Sequence, residues 1–541
     1  MRNVVTWTSV RYTLDMADAS INPNRLRDSR ISHLGRAAVI GVVAGVLAVA
    51  FRRVLADVEH IREALLASLH SLPHASIWAW SVLPAIGLAI GGFVGYITFR
   101  FAPDARGSGI PHVKGVLLHI RTMQWKSLLP VKFVGGILGM GVGLSVGREG
   151  PTVQMGAAVG KLVADILRVP SRSIPQLISC GAGAGLAAAF NAPLAGFLFV
   201  IEELHRELSA RTFGGALVAA LAADIVARAF SGHAPSFAIT GYPSIPLAAL
   251  PVAAILGMAG GLTGVAFNRC LLRASSRVAR VKLVPLWLMP GLVAAFCGLV
   301  AWWVPEAVGG GHGTAEHFLR GQLGWSALGL LVLLAVKAAL TIASYASGAP
   351  GGIFAPMLLI GTIVGTLAAG VSGWALPGLM SHGTAFQIMG MAAFFTGCVR
   401  APLTSIVLIV ELTGNYEQLL ALGVVCLVAD LTAAAFRGVP VYESLLKADL
   451  QRSPSHATKA AEVSEPRSIY LGIQRGSAIE GKAIREAGLP AGCLIVAIER
   501  GGREVLPAAD LVLAPGDHVT VILPAHEPEK AIIVVRLTTG L

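Results

Sequence analysis

Three short segments of this sequence each have a proline four residues after a glycine, and two of them also carry a side chain that can bind an ion or a proton. They are Gly-Ser-Gly-Ile-Pro at 107–111, Gly-Arg-Glu-Gly-Pro at 147–151 and Gly-Ile-Phe-Ala-Pro at 352–356. A helix tolerates proline in its first turn, where the missing N–H has no intrahelical partner, so each segment predicts a break and then a helix start. The free N–H groups of such a start can hold an anion without a full countercharge.

Two polar side chains within these segments are candidates for chemistry. Ser108 places a hydroxyl between two glycines just before a helix start, where it could cap the helix or bind a ligand among the same free donors. Glu149 is an ionisable residue in a strongly apolar part of the chain, and such residues are usually functional when they lie within a membrane. The alternative for Glu149 is a structural ion pair with Arg148, but adjacent residues on a helix do not face each other.

The elements that must position these residues are strongly apolar. Of 541 residues, 55% are hydrophobic and 13% are charged, and the mean hydropathy is +0.70. A soluble fold of this size could not bury so much apolar surface, so the composition excludes one and predicts a polytopic membrane protein. About a dozen apolar segments are visible, several of them shorter than a full crossing. The segments of spanning or near-spanning length include 37–51, 77–96, 247–267, 283–303 and 328–342.

Charge and cysteine content narrow the class further. The net charge is +12, and residues 447–541 hold 11 basic and 11 acidic residues, so the whole excess lies in the membrane part. Basic loops that contact lipid headgroups would explain this excess, and so would a field that draws anions toward a pathway; charge alone does not choose. The six cysteines are scattered without a C-x-x-C pair, which predicts neither a disulfide framework nor a zinc site.

The two ends of the chain are polar. Residues 1–34 hold five Arg and three Asp without the apolar core of a signal peptide, which predicts a cytoplasmic N-terminal segment. Residues 447–467 are polar and contain two prolines, which predicts a linker. A small soluble α+β module is expected at 468–541. Its predicted elements are strands at 469–474, 493–499 and 518–523 and a short helix at 481–487.

The membrane part contains an internal repeat. The aligned segments are 191–202 with 400–411 at an offset of 209, 151–162 with 356–367 at an offset of 205, and Val-Lys at 131–132 with Val-Lys at 336–337, also at 205. Three matches in one order at nearly one offset make chance a poor explanation. Duplicated membrane folds that are interrupted at matching places bind their substrates at the breaks. Glycines that only pack helices remain the alternative.

The three broken segments, in this order and within a duplicated membrane domain, resemble the signature loops of the CLC family of chloride channels and chloride/proton antiporters. Asn-Ala-Pro-Leu-Ala-Gly at 191–196 and Gly-Val-Pro-Val-Tyr at 438–442 resemble two further segments of that family. The resemblance extends over residues 35–446. It implies an all-α polytopic membrane domain with an internal inverted repeat and broken helices, followed here by the small cytosolic α+β domain.

The resemblance implies a role for each residue of an anion site. Ser108 and Tyr442 would supply side-chain hydroxyl groups to a central anion. The other donors would be backbone N–H groups of residues that this chain has as Gly147, Arg148, Gly150, Ile353 and Phe354. No metal and no full basic charge needs to touch the anion, so binding would stay weak enough for release.

The resemblance also implies two glutamates that carry protons. Glu149 would be the gating glutamate, whose carboxylate occupies the outer anion site in place of chloride and leaves it on protonation. Glu203 would be the internal proton acceptor near the cytoplasmic end of the proton route, although the residues alone fit a solvated helix end equally well. Glu202 could help protons to arrive. Its repeat mate Glu411 would be structural, and Lys132 would add positive potential.

Two positions favour one branch of the family. Relatives that prefer nitrate tend to have Pro at the position of Ser108, fluoride exporters also depart from Ser there, and channel members tend to have an apolar residue at the position of Glu203. This chain therefore resembles the chloride/proton antiporters. It departs from many relatives at His112, where they carry Glu. We expect a hydrogen-bonded or solvated histidine there, with an altered pH dependence as the alternative.

The C-terminal module has its own resemblance. Gly-Ser-Ala-Ile-Glu-Gly at 476–481, Gly-Cys-Leu-Ile-Val at 492–496 and Leu-Ala-Pro-Gly-Asp at 513–517 are similar to segments of a TrkA-C domain, the ligand-sensing half of potassium-transport regulators. Some of these domains bind cyclic dinucleotides. The resemblance therefore implies a nucleotide-type ligand that gates or assembles the transporter, and a purely structural role in dimerisation is the alternative.

The expected protein is a secondary chloride/proton antiporter, a homodimer in the inner or plasma membrane with both termini cytoplasmic. Its expected partners are chloride, protons and the lipid bilayer, without an enzymatic activity, cofactor, metal or nucleic acid. A passive chloride channel of the same family is the first alternative. A TrkA-C-regulated cation transporter would need a Thr-Val-Gly-Tyr-Gly filter, which the sequence lacks. An intramembrane hydrolase would need a histidine at a recognisable spacing from Ser108.

Overall fold

The computed structural model describes residues 23–72, 75–205, 210–237, 239, 243–281, 283–452, 467–501, 503–524 and 529–539. The chain is helical as far as Arg452, and a small sheet follows. The helices of the first half are α1 (Pro23–His70), α2 (Ala75–Phe101), α3 (Ile110–Leu117), α4 (Trp125–Gly141), α5 (Glu149–Ile166), α6 (Ile174–Phe190), α7 (Pro193–Phe199) and α8 (Ala210–Ser231). Those that follow are α9 (Leu250–Val278), α10 (Met289–Trp303), α11 (His312–Leu319), α12 (Ala327–Ala346), α13 (Phe354–Ala375), α14 (Gly383–Val399), α15 (Pro402–Thr413), α16 (Leu419–Ala435) and α17 (Val441–Arg452).

The lengths of these helices confirm a polytopic membrane domain. Within the described residues, seven helical stretches are long and apolar enough to cross a bilayer: Ile31–His70, Ala79–Phe101, Phe213–Ser231, Leu247–Val278, Leu286–Trp303, Ala327–Ala346 and Phe354–Trp374. Other apolar helices have 17 residues or fewer, as α6 and α14 do, and α3 and α11 have only eight. A crossing needs about 20 residues. The shorter helices therefore begin or end inside the domain, as expected from the broken segments.

The two halves repeat one order of elements, so that α1–α8 correspond to α9–α16. The short helices α3 and α11 each follow a 3-10 turn, Pro103–Ala105 and Pro305–Ala307. The equivalent residues Gly147 and Gly352 pair antiparallel, and each N–H donates to the other's carbonyl at 2.6 and 2.7 Å. Reciprocal antiparallel pairing of equivalent residues has the local two-fold symmetry of an inverted repeat. Residues 309–313 are thus the repeat mate of 107–111, which the sequence comparison missed because few residues are shared.

Glycine allows the helices behind the broken segments to approach closely. A Cβ on Gly156 of α5 would lie 2.1 Å from the carbonyl oxygen of Gly181 on α6, and a Cβ on Gly181 would lie 2.0 Å from that of Gly156. The repeat mates Gly361 and Gly390 make the same contact between α13 and α14, at 2.6 and 2.3 Å. Small residues permit such backbone contacts in membranes. These pairs fix α5 and α13, whose first turns form the site described below.

Two of the expected domain boundaries shift. Helix α1 begins at Pro23, so the last part of the expected N-terminal segment 1–34 is helical, and residues 1–22 lie outside the described part of the chain. Helix α17 continues to Arg452, so the expected linker 447–467 begins inside a helix. The end of α17 includes the exposed polar residues Lys447 and Gln451, and such a composition is compatible with a helix end as well as with a linker. Residues 453–466 are not described.

The C-terminal module is a four-stranded antiparallel sheet with one helix. Its elements are β1 (Arg467–Gly472), β2 (Leu494–Arg500), β3 (Arg503–Val505), β4 (His518–Leu523) and α18 (Glu529–Thr539), and the strand order is β1-β4-β2-β3. The three expected strands are present within two residues at each end. The helix expected at 481–487 is only a 3-10 turn at Ile484–Glu486, and β3 and α18 were not anticipated.

A buried carboxylate holds the turn before β4. Both carboxylate oxygens of Asp517 accept hydrogen bonds from Arg500, at 2.7 and 2.6 Å, and one of them also accepts from the Ala514 N–H at 2.8 Å. Burial alone would raise the pKa of Asp517, but these hydrogen bonds outweigh it and hold the pKa of the carboxyl below its usual value. Asp517 therefore stays charged and keeps the Pro-Gly-Asp turn closed.

The module packs against the membrane domain. Ile120, in the loop after α3, and Leu446 of α17 belong to the same hydrophobic cluster as Ile469 and Leu471 of β1. The same loop is tied to α17 by an ion pair, in which Arg121 donates to Asp449 at 2.7 Å. The sheet therefore rests on α3 and α17, the two helices that lead to the predicted anion site.

Candidate functional site

The three broken segments meet inside the membrane domain. The Gly107 N–H donates to the carbonyl of Ala349 at 3.1 Å, and the Gly351 N–H donates back to Gly107 at 3.0 Å. The reciprocal pair of Gly147 and Gly352 joins the other two segments. The third segment begins 205 residues after the second and 245 after the first. Backbone hydrogen bonds nevertheless link it to both, so the helices that follow the segments, α3, α5 and α13, start around one place.

Ser108 lies at the start of α3 and is fully buried. Its Oγ accepts a hydrogen bond at 3.3 Å from the N–H of Ile110, the first residue of α3, so the hydroxyl pairs one free donor of that helix start. The next residue, Gly109, has a φ of +82°, and a Cβ there would lie 2.2 Å from Gln154, so only glycine fits. Gly150 packs directly on Ser108, with its Cβ position 2.9 Å from that side chain. The Ser108 loop is therefore held against the first turn of α5.

Glu149 begins α5, and its carboxylate lies on the first turn of α13. The side chain is completely buried, and Oε2 accepts a hydrogen bond from the Ala355 N–H at 3.3 Å. Oε1 has no hydrogen-bond partner among the described residues. A Cβ on Gly147 would lie 2.6 Å from Oε2, so the glycine leaves room for the carboxylate. A negative group thus occupies the N-terminus of a helix, where the free N–H groups attract anions.

The expectation that Arg148 and Glu149 do not face each other was wrong. Arg148 Nε lies 3.8 Å from Glu149 Oε1. Arg148 is the residue before the first helical residue of α5, so the helical spacing that separates neighbouring side chains does not apply to it. The distance is too long for a hydrogen bond, and the Arg148 Nε has no hydrogen-bond acceptor among the described residues. The pair is electrostatic rather than a fixed contact.

Three other residues predicted for the anion site are buried around the same helices. Ile353 and Phe354 are fully buried at the start of α13, and the Phe354 ring packs between Phe190 at 5.2 Å and Phe395 at 4.4 Å. Tyr442 is the second residue of α17, which packs against α3. It is also fully buried, and its hydroxyl has no hydrogen-bond partner within the described structure. An unpaired buried hydroxyl is costly, so Tyr442 remains a candidate ligand.

Glu203 lies in a π-helical segment, Val200–His205, that continues α7. Its side chain is 1% exposed, and Oε1 accepts a hydrogen bond from Lys114 Nζ at 2.8 Å. The solvated helix end considered for Glu203 is therefore wrong. Lys114 escaped the sequence analysis, although a lysine in the middle of the apolar segment after Ser108 was a visible signal.

Glu202 and Glu411 form reciprocal helix caps across the repeat. Glu202 accepts hydrogen bonds from the N–H groups of Leu403 and Thr404 at the start of α15, at 3.1 and 2.6 Å. Glu411 accepts from the N–H groups at the start of α7, at 3.1 and 2.8 Å. Glu202 therefore has the structural role that was expected for Glu411, namely capping a helix of the other half.

The two repeat-related lysines also have the same structural task. Lys132 Nζ donates to the carbonyls of Ala105 and Gly107 at 2.8 and 2.7 Å. Lys337 Nζ donates to the carbonyls of Ala307 and Gly309 at 3.2 and 2.7 Å. Each lysine is fully buried and fixes the loop that precedes an eight-residue helix. Lys132 Nζ therefore lies directly behind the Ser108 loop.

His112, the departure noted in the sequence, is paired at both ring nitrogens. Gln154 Nε2 lies 3.2 Å from Nδ1, and the carbonyl of Thr122 lies 3.2 Å from Nε2. These partners assign a neutral ring that accepts at Nδ1 and donates at Nε2. The Asp104 carboxylate is 3.7 Å from Nε2. His112 is thus the hydrogen-bonded histidine that the sequence favoured.

Comparison with known families agrees with this architecture. Residues 86–434 match the family described as "Voltage gated chloride channel", and residues 471–530 match the TrkA-C domain. The first match spans more than half of the chain, which therefore belongs to the voltage-gated chloride channel family, a class of ion-transporting membrane proteins, here with a TrkA-C domain at the C-terminal end.

Individual relatives give a finer comparison. The chain is 37% identical over 436 residues to the H(+)/Cl(-) exchange transporter ClcA of Citrobacter koseri, covering 79% of this chain and 91% of the relative. It is 36% identical over 440 residues to ClcA of Salmonella arizonae, covering 79% and 92%. The crystal structure of a slow cyanobacterial Cl-/H+ antiporter superposes with a TM-score of 0.73 at 33% identity, over 78% of this chain and 99% of that one.

Proposed function

We propose that this chain exchanges chloride for protons across a membrane. The observation that carries the proposal is the buried Glu149 carboxylate at the N-terminus of α13, where it occupies N–H groups that could otherwise hold an anion. The similarity to transporters named for H(+)/Cl(-) exchange over most of their length supports it. A second buried carboxylate, Glu203, gives the proton a further acceptor.

In the proposed mechanism, chloride and the Glu149 carboxylate compete for one set of donors. Chloride binds to the backbone N–H groups of Ile353 and Phe354, to those from Gly147 to Gly150, and to the hydroxyls of Ser108 and Tyr442. Protonation removes the charge of Glu149 and with it the attraction to the helix N-terminus. The side chain then swings away and chloride enters. Because one site accepts either chloride or a charged glutamate, movement of the two ions is linked.

The proposed proton route continues from Glu149 toward Glu203. Glu203 accepts protons from the cytoplasmic side and is held by Lys114 within a buried segment. Glu202 is engaged in capping α15, so we assign it no direct role in proton transfer. The protein acts as a homodimer in the inner or plasma membrane, with one pathway in each subunit and both termini cytoplasmic.

Simultaneous measurement of both ion fluxes tests this function. Proteoliposomes that contain the purified protein are given an outward chloride gradient and equal pH on both sides. They are expected to release chloride and to take up protons. Addition of a potassium ionophore clamps the voltage, and empty vesicles give the leak. Chloride efflux without proton uptake would select the passive channel instead. No chloride efflux from vesicles that contain folded protein would contradict both the exchanger and the channel.

The C-terminal module is proposed to regulate this exchange through a nucleotide-type ligand. Its β1 strand shares a hydrophobic cluster with Ile120 and Leu446, which follow α3 and belong to α17. Ser108 and Tyr442 lie at the starts of those two helices. A ligand that shifts the module would therefore shift both hydroxyl groups.

Calorimetry of the full-length protein with cyclic dinucleotides and mononucleotides tests this regulation, and a variant ending at Arg452 controls for binding elsewhere. The absence of saturable, module-dependent binding would favour a structural role.

A further inference from the structure

A buried lysine touches the glutamate assigned above to the cytoplasmic end of the proton route. Lys114 Nζ donates to Glu203 Oε1 at 2.8 Å, and the two side chains are 7% and 1% exposed. A buried ion pair seldom adds stability, because the loss of water around both charges offsets their attraction, and apolar residues of similar size often serve as well. Stability alone is therefore a weak reason for a lysine at this position.

Lys114 and the candidate anion ligand Ser108 belong to one short, tightly packed element. Helix α3 begins at Ile110, and Lys114 follows about 6 Å further along the helix axis. A Cβ on Gly115 would lie 3.2 Å from Leu446 Cδ1 of α17, so α3 has little freedom to shift on that side. One rigid helix therefore carries an anion ligand at its start and the cation that faces Glu203 one turn later.

The other charged groups near this pair have partners of their own, whereas Tyr442 of α17, a titratable group that interacts electrostatically with Glu203, has a hydroxyl that is unpaired within the described part of the chain. On α3, the ring of His112 is hydrogen-bonded to Gln154 and Thr122. On the segment that carries Glu203, Glu202 caps α15, and the His205 Nε2 lies 2.6 Å from Ser179 Oγ. Beyond α3, Arg121 is paired with Asp449 of α17. Lys114 is a cation in hydrogen-bond contact with Glu203 among the described residues.

We infer that Lys114 is a positioning residue of the proton branch, which keeps the Glu203 carboxylate charged and fixed against α3. This inference rests on the proposed exchange of chloride for protons. In surroundings with little water, the ammonium favours the charged carboxylate, and without it desolvation favours the neutral acid. A glutamate that already holds a proton cannot accept one from the cytoplasm. Loss of Lys114 therefore slows proton transport, while chloride binding at the helix starts persists.

Neutral and charged replacements of Lys114 test the inference. Lys114→Met removes the charge at similar length, and Lys114→Arg retains it. The matched control is Lys161→Met, because Lys161 also pairs with a carboxylate, that of Asp165, but on the more exposed end of α5. We expect Lys114→Met to lower proton flux roughly tenfold, a free-energy change of about 1.4 kcal/mol. Chloride flux in this variant, and both fluxes in the other two, should stay within about twofold of the unsubstituted protein.

A merely structural pair predicts a different result. In that case Lys114→Met lowers chloride and proton flux in parallel, and this outcome overturns the inference. If Lys114→Met does not fold, Lys114→Gln takes its place, since its amide can still donate a hydrogen bond to Glu203 without a charge.

Infrared spectroscopy of the carboxyl groups gives a readout that does not depend on transport. At neutral pH, Lys114→Met should show an added band of a protonated carboxyl, and the double variant with Glu203→Gln should lose it. Absence of that band overturns the inference even if the unsubstituted protein moves chloride without protons. Dissipative chloride flux by itself would refute only the proposed exchange, so the two failures are distinguishable.

Discussion

At the scale of single residues, most buried charges of the membrane domain have partners that account for them. Lys132 and Lys337 hold loop carbonyls, and Glu202 and Glu411 cap helices. Glu149 differs, because Oε2 has one long hydrogen bond of 3.3 Å and Oε1 has none within the described chain. Burial removes water from this carboxylate, and so few hydrogen bonds replace that water only in part. The side chain is therefore weakly held, which suits a group that must leave its position.

Replacing Glu149 with Gln should separate the two ions. Glu149→Gln resembles the protonated side chain and no longer competes as an anion, so chloride flux should persist while proton flux falls to the leak of empty vesicles. Parallel recordings of chloride and pH in proteoliposomes measure this. Glu411→Gln is the control, because it also alters a carboxylate at a helix start. It should keep the exchange ratio and lose about 1–3 kcal/mol of stability. If chloride flux is lost in Glu149→Gln, the proposed gating chemistry is wrong.

At the scale of elements, the site depends on helix starts that are held by their glycine contacts. Helices α5 and α6 touch through Gly156 and Gly181, and α13 and α14 touch through the equivalent Gly361 and Gly390. The neighbours at these contacts are backbone atoms, which cannot move aside as a flexible side chain can. The position of the free N–H groups at the starts of α5 and α13 therefore follows from glycine packing many residues away.

A methyl group at one of these contacts should disturb the site. In Gly181→Ala the new Cβ would lie 2.0 Å from the Gly156 carbonyl oxygen, so α6 must shift away from α5. We expect the free energy of unfolding to fall by about 1–3 kcal/mol, which a lower unfolding temperature in detergent would show. Calorimetry should also show weaker chloride binding. Gly370→Ala is the matched control, since no neighbouring atom lies within 4 Å of its Cβ position on α13. Equal stability of the two variants would show that the close approach is not needed.

At the scale of the whole molecule, the C-terminal module is packed onto the ion-transport domain. Its core continues into Ile120 and Leu446, so the sheet covers the ends of α3 and α17. The ion pair of Arg121 with Asp449 joins those two ends to each other. Movement of the module thus acts on two helices that each begin beside a candidate anion ligand.

The packing of the module predicts that shortening one buried side chain should destabilise both the module and α17. Ile120 is 5% exposed, so Ile120→Ala should remove about 2–3 kcal/mol of packing and speed amide hydrogen exchange in both β1 and α17. Leu494→Ala, at a side chain that is 63% exposed, is the control and should change neither. Hydrogen exchange with mass spectrometry reads both segments in one experiment. Faster exchange confined to β1 would show that the module does not hold α17.

The local part of this architecture could be predicted from the sequence because short-range rules govern it. Proline after glycine marks the helix starts at 107–111, 147–151 and 352–356, apolar length marks the spans, and two stretches of similar sequence mark the repeat. The strands of the module also followed from β-forming runs between turn residues. Each of these signals can be read from the linear order of the residues, without knowing which segments meet in space.

Only the tertiary structure decided which of these pieces meet. Lys114 and Glu203 are 89 residues apart, and Glu202 and Thr404 are 202 apart, yet both pairs are in hydrogen-bond contact. Packing within the first half creates the contact of Lys114 with Glu203, and packing between the halves creates that of Glu202 with Thr404; no local pattern encodes either. The sequence by itself thus determined a duplicated membrane transporter with broken helices. The partners of its buried charges depended on how the helices pack within and between the two halves, because a charge buried in a membrane must be paired by whatever the packing brings within reach.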